Sequence, residues 1–263
     1  FGLSSIWSIE HSVGLRDGHG GLLPAGVCNR NNRGVRRLSD SKIRVAFLAT
    51  DLCFDGGGGA ERVLAHVLNG LDRDRYHVTV ISMLPFDEEQ VRFRIPESQV
   101  YSLNMKRGKA SIRDVGSFRE VIGHFDPHVV YCWMHHAILL GRVSAFLEPR
   151  KRAVVTSFRS ERSPSSTAVR TGLKLSRWVD TVSIAGSTRV AKQVCREGLA
   201  VHSRVRVIPN GVDTSEFRPA AGKRDITRHQ LGIPGDTFLF TALGRLEEAK
   251  GYGVLLKSFA EVI

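Results

Sequence analysis

The chain has 263 residues, 42% hydrophobic and 24% charged, the balance of an ordinary water-soluble globular chain. Lys and Arg outnumber Asp and Glu by 38 to 26, a net charge of +12, which favours anionic partners without choosing among nucleic acid, anionic lipid and phosphorylated small molecules. No apolar run reaches the roughly 20 residues needed to span a bilayer; the best candidate, residues 137–147, is short and interrupted by Arg142.

Residues 1–40 are rich in Gly, Arg and Asn without any period, lack a clean apolar stretch, and are set aside as a leader of unknown status. The four cysteines (Cys28, Cys53, Cys132 and Cys195) form no CxxC pair, so neither a zinc cluster nor a disulfide framework is predicted. Cys53 and Cys132 lie in or beside apolar runs and are expected to be buried, reduced thiols. With no Asn-x-Ser/Thr sequon, a reducing cytoplasm fits best.

From Lys42 the pattern alternates strand and helix. Residues 43–49 (IRVAFLA) read as a continuous apolar strand, as in a parallel sheet covered on both faces. A glycine loop, Gly56–Gly59, leads into a helix with Val63, Leu64, Val67, Leu68 and Leu71 on its apolar face. Strands follow at 78–83, 101–103, 129–132, 153–157, 181–185 and 205–208. Helices are predicted over 112–125, 137–147 and 168–178, and another begins with Ser187 as N-cap and is stopped by Gly198. Such repeated units imply an α/β fold with a doubly wound parallel sheet whose ligands meet the carboxyl ends of the strands. The Rossmann-like first domain is placed at residues 41–213. Residues 214–263 read as a linker, a short helix over 224–231 stopped by Gly232, and one strand-loop-helix unit of a second Rossmann-like domain, with its strand at Phe238–Leu243.

Gly56–Gly59 either brings backbone amides towards an anion at a helix N-terminus or is a flexible turn. It is no dinucleotide fingerprint, because Arg62 stands where the third glycine belongs. Asp72-Arg73-Asp74 falls between a helix and a strand at the far end of the sheet and reads as a solvated turn, not a metal site. Asn210-Gly211 suits a tight turn, and Asp213 is placed to cap the next segment, with Glu216 as a capping-box partner.

Five segments in this order resemble glycosyltransferase family 4, of GT-B fold: GGAERV at Gly58–Val63, WMHHA at Trp133–Ala137, SFRS at Ser157–Ser160, IPNGVD at Ile208–Asp213 with Phe217-Arg218-Pro219 after it, and Gly244-Arg245-Leu246 followed by Lys250-Gly251. The resemblance spans 42–263 and implies sugar transfer from a nucleoside-diphosphate sugar to an acceptor hydroxyl, with retention and without metal or other cofactor. It implies that Arg245 and Lys250 clamp the leaving diphosphate, that the amides of Gly58 and Gly59 face the donor, and that His136 lies near the sugar hydroxyls. Otherwise the two cations are an exposed pair beside Glu247 and Glu248, and His136 is a core-edge histidine. Glu61 and Arg159 are acceptor-side candidates; for Arg159 a plain surface salt bridge is the alternative. The resemblance implies a carbohydrate or lipid-linked acceptor reached from the cytoplasm, and the basic surface allows peripheral contact with an anionic membrane. The family's paired glutamates fall past Ile263, so the donor domain is incomplete and residues 1–263 alone are expected to have little activity. A nucleotide-sugar epimerase of the same fold is the nearest rival. A basic nucleic-acid-binding protein is the other, against which stands the lack of any recognition-helix, zinc or RNA-binding signature.

Overall fold

A computed structural model describes residues 42–262 except 55–57, 97, 109–110, 149 and 221. The leader, Cys28 and the first half of the glycine loop, Gly56 and Gly57, therefore lie outside the described residues. The chain divides into two units, residues 1–212 and 213–263.

In the first unit the elements are β1 (Ile43–Ala49), α1 (Gly59–Asn69), β2 (Tyr76–Ser82), α2 (Glu88–Arg94), β3 (Gln99–Ser102), α3 (Ile112–Phe125), β4 (Val129–Trp133), α4 (His135–Phe146), β5 (Ala153–Phe158), α5 (Thr167–Leu175), β6 (Val182–Ala185), α6 (Thr188–Arg196) and β7 (Val205–Val207). The seven strands form one parallel sheet in the order β3-β2-β1-β4-β5-β6-β7. Successive residues of β1 enter opposite cores: Phe47 packs with Leu64, Leu68 and Tyr131 on one face, Leu48 with Ile81, Cys132 and Ile138 on the other. Covering both faces is what makes β1 read as an unbroken apolar run rather than an alternation. The chain winds one way from β1 to β3 and the other way from β4 to β7, so the winding reverses between the neighbouring strands β1 and β4. That reversal opens a crevice at their carboxyl ends.

Local chemistry ends the helices as expected. Ser187 accepts from the Val190 amide, and Gly198 closes α6 at φ +70°. α2 has no counterpart in the sequence reading: it buries only Val91, too little for a period to register, and is started by Asp87 accepting from the Gln90 amide. Asp72 Oδ1 accepts from the Asp74 amide at 2.9 Å in a turn just before β2, at the amino end of the sheet.

Two features of α4 were not legible. Arg142, read only as an interruption, is completely buried. Its guanidinium grips Asp180 with two bonds of 2.6 and 2.5 Å and donates to the carbonyls of Leu173 and Leu199. Asp180 also accepts from Thr156 and Ser183, each at 2.7 Å. One ion pair thus joins α4, α5 and the chain after α6 to β5 and β6. The second feature is Gly141, where a Cβ would lie 2.2 Å from Cys132 Sγ, so α4 rests on β4 through a glycine-thiol contact. Burial, helped by the nearby Asp180 carboxylate, pushes the Cys132 thiol far above the ordinary range and keeps it protonated and inert. Cys53, by contrast, is exposed, which corrects the expectation of a buried thiol. It lies past the end of β1, where Leu52 and Phe54 turn into the core and the residue between them turns out.

The second unit holds α7 (Lys223–Gln230), a 3-10 turn at Glu248–Lys250 and α8 (Tyr252–Ala260). Gly232, at φ +65°, follows α7 as its stop. Phe238–Leu243 is not a strand, contrary to the reading of its apolar run. A strand needs a neighbour to take its amides and carbonyls, and among the described residues this unit supplies none. Phe240 packs instead against Phe238 and Phe259, with ring centroids 5.1 and 5.3 Å apart.

Candidate functional site

At the carboxyl edge, Ala49 of β1 sits opposite Trp133 of β4. Gly58 N-caps α1 with no side chain to offer the helix, and Gly59 begins it. A Cβ on Gly58 would stand 3.2 Å from Glu61 Oε2, so the carboxylate of the first turn folds back against the cap. That oxygen is buried and has no hydrogen-bond partner among the described residues.

Across the crevice, the strand-to-helix passage from β4 to α4 takes a single residue. Met134 adopts φ 72°, ψ 166°, a conformation other residues leave to glycine, at a strain of about 1–3 kcal/mol. The Met134 amide donates to the Ser157 carbonyl at 3.1 Å, and its carbonyl accepts from Ile138 at 2.9 Å. The sharp turn aims the first turn of α4 at the crevice. His136 is exposed there, while His135 is partly buried, its ring 5.8 Å from Phe158. Burial, then the neighbouring His136, lower the His135 pKa from 6.5 to about 4 against an opposing pull from Glu197.

A histidine depressed in this way stays neutral when folded but takes a proton near its ordinary pKa when unfolded. Its contribution is therefore whole above about pH 6.5 and is lost as pH falls towards 4. His135→Gln should flatten the fall in stability over that window, read from denaturant midpoints at several pH values. An unchanged slope would remove His135 as its source.

Arg159, after β5, pairs with no carboxylate among the described residues. It donates through Nε to Ser157 Oγ at 2.8 Å and through Nη1 to the Ile208 carbonyl at 3.2 Å and Asn210 Oδ1 at 2.9 Å. The guanidinium lies 4.6 Å over the Trp133 ring. It thus braces the ends of β4 and β5 against the segment leaving β7, and Asn210, read as a turn residue, is one of its anchors. Asp213 caps a short turn through the Ser215 amide at 2.8 Å; no helix follows for Glu216 to cap.

In the second unit, Arg245 and Lys250 share the loop before α8, and both are exposed. Arg245 pairs with Glu247 at 3.2 Å. The Lys250 amide donates to the Glu247 carbonyl, and Gly251 at φ +70° turns the chain into α8. Among the described residues no His, Cys, Asp or Glu cluster gathers as a metal site, and no helix is long and apolar enough to cross a membrane.

A doubly wound parallel sheet with Gly58, Met134 and His136 at the ends of the strands where its winding reverses defines the class: the Rossmann-like architecture of GT-B glycosyltransferases. Residues 57–216 match Glycosyltransferase Family 4, and the chain belongs to that family. It is 35% identical over 77 residues to the UDP-Gal:alpha-D-GlcNAc-diphosphoundecaprenol alpha-1,3-galactosyltransferase of Escherichia coli, covering 27% of this chain and 20% of the relative. It is 34% identical over 80 residues to D-inositol 3-phosphate glycosyltransferase 1 of Catenulispora acidiphila, covering 30% and 19%. Among solved structures, Anabaena Alr3699/HepE in complex with UDP shares the fold at TM-score 0.67 and 20% identity, over 83% of this chain and 58% of that one. Sucrose-phosphate synthase of Thermosynechococcus elongatus does so at 0.61 and 15%, over 84% and 60%. The matches thus span about a fifth of these curated relatives and under two thirds of these structures.

Proposed function

We propose that the chain forms the acceptor-side domain and the first phosphate-binding loop of a glycosyltransferase that moves a hexosyl group from a nucleoside-diphosphate sugar to an acceptor hydroxyl. The observation that carries this reading is the strained Met134 junction at the reversal point, which starts α4, and with it His136, directly at the carboxyl end of β4. Membership of the family and the UDP bound to Anabaena Alr3699/HepE support a nucleotide-sugar donor. In this scheme Arg245 and Lys250 neutralise the departing diphosphate, so no metal is called on. His136 hydrogen-bonds the transferred sugar, and the amides at Gly58 and Gly59 face it. Glu61 serves the acceptor, and Arg159 shapes the same edge by holding Trp133 and Asn210.

The configuration is retained, and the leaving diphosphate takes the acceptor's proton. The product belongs to polysaccharide, lipopolysaccharide or glycolipid synthesis in the cytoplasm, with the basic surface resting on anionic lipid headgroups. The test incubates the full-length protein with a panel of nucleotide sugars, with and without carbohydrate and lipid-linked acceptors. Glycosylated acceptor is the expected product; an epimerised donor formed without acceptor would overturn the assignment.

A further inference from the structure

The segments that lead into β5 and β6 lie side by side at the amino edge of the sheet, opposite the crevice. α4 and α5 end together there. A Cβ on Gly172 would stand 2.8 Å from Leu139 Cδ1, and Arg142, one turn before Phe146, donates to the Leu173 carbonyl at 2.9 Å. Past these contacts both helix ends push large apolar side chains into solvent. Phe146 is 80% exposed, Leu147 47%, Leu175 67% and Trp178 58%. The exposed cations Arg150, Lys151, Lys174 and Arg204 stand among them. Arg204 donates to the Trp178 carbonyl at 2.7 Å, and the half-buried Arg177 lies 4.8 Å over the Trp178 ring. The acids of this edge are engaged elsewhere. Glu148 pairs with Arg152 at 3.3 Å, Asp180 is wholly buried on Arg142, and Glu197 accepts from Ser163 and Gln193. Asp126, before β4, is shared by Arg44, Arg150 and Arg152.

We propose that this edge docks the protein on an anionic lipid surface, with Phe146, Leu147, Leu175 and Trp178 among the headgroups and Lys151, Lys174 and Arg204 against their phosphates. Grouped apolar side chains of this size mark a contact surface, and the cations choose what covers it. A second copy of the same edge would meet its own positive charge. The 41 residues before Lys42 carry five arginines against three acids, so they do not bring the missing negative charge. A protein partner would favour an apolar centre with charges at the rim, whereas here each helix end carries both kinds side by side. That mixture suits a bilayer interface, where an indole settles at headgroup depth while Lys and Arg extend to phosphate. This docking rests on the membrane contact proposed above and gives it a location; the crevice, at the other edge, stays open to water.

Sedimentation of the full-length protein with phosphatidylcholine vesicles, with or without an equal part of phosphatidylglycerol, tests it. The protein should pellet with the anionic vesicles alone, less so as salt rises, while Trp178 emission shifts to the blue. Trp178→Phe should keep the binding and lose the shift, which separates this indole from Trp7 and Trp133. Lys151→Glu with Lys174→Glu should weaken partitioning by about 10²–10³, and Phe146→Ser with Leu175→Ser should weaken it at every salt concentration. All four positions are exposed, so melting temperatures should hold. Arg62→Glu with Arg113→Glu, exposed cations where α1 and α3 begin at the crevice edge, should bind as the unaltered protein does. Binding lost in that control pair and kept in the lysine pair would sink this edge and spare the membrane contact. No pelleting with anionic vesicles, or an unshifted Trp178, overturns the docking and leaves an acidic protein as the partner of the edge. Sugar transfer to a soluble acceptor by a protein that binds no vesicle would sink the docking and leave the transferase reading standing.

Discussion

Arg142→Met should cost the first unit about 3–5 kcal/mol, because it leaves the Asp180 carboxylate buried without its counter-charge. Thr156 and Ser183 would still donate to Asp180, but two neutral hydroxyls do not replace a bidentate guanidinium. The carbonyls of Leu173 and Leu199 lose their donor in the same step. Arg142→Lys should rescue little, since one ammonium cannot reach four acceptors set around a planar fork. Arg142→Met with Asp180→Leu should be less damaging than Arg142→Met alone, because no charge then stays buried. Urea denaturation followed by circular dichroism reads all three, and a loss below about 1 kcal/mol for Arg142→Met would show the pair to be dispensable.

Arg245→Ala and Lys250→Ala should each lower kcat/KM of the full-length protein by about 10²–10³, the usual consequence of removing one preorganised charge stabiliser from a transition state. The expectation follows from the proposed transfer, in which a nucleoside diphosphate would depart with its negative charge growing, and these two cations share the loop before α8. Folding is not at stake. The Arg245–Glu247 pair joins an exposed guanidinium to a half-buried carboxylate and is worth little to stability, so melting temperatures should hold while activity falls. Glu247→Gln makes the useful control, because it frees Arg245 without removing it and should not slow transfer. Activity within a factor of two in both alanine variants would remove the clamp from the mechanism.

The sheet was readable because its signals are local and repeated. Apolar runs of strand length, amphipathic helices and the Ser187 and Gly198 helix ends each carry their own physics within a few residues. The Met134 junction could be located from its WMHHA motif, but its strain could not, since backbone angles at a non-glycine residue leave no mark in composition. Arg142 misled for a related reason. A charge in an apolar helix looks like a break until the partner is known, and Asp180 lies 38 residues away. Arg159 likewise showed its place after a strand but not its anchor, Asn210, which is 51 residues further on. Phe238–Leu243 failed differently: its apolar pattern is that of a buried strand, yet a pattern cannot supply the neighbouring strand that would pair with it. Cys53 was misplaced because apolar surroundings do not say on which side of the chain a single residue falls.

The most direct measurement of sugar transfer counts nucleoside diphosphate released against acceptor glycosylated by the full-length protein. One diphosphate per modified acceptor hydroxyl, with release ceasing when acceptor is withheld, is the predicted result. Diphosphate liberated at the same rate without acceptor, or acceptor left unmodified by every nucleotide sugar supplied, would contradict it.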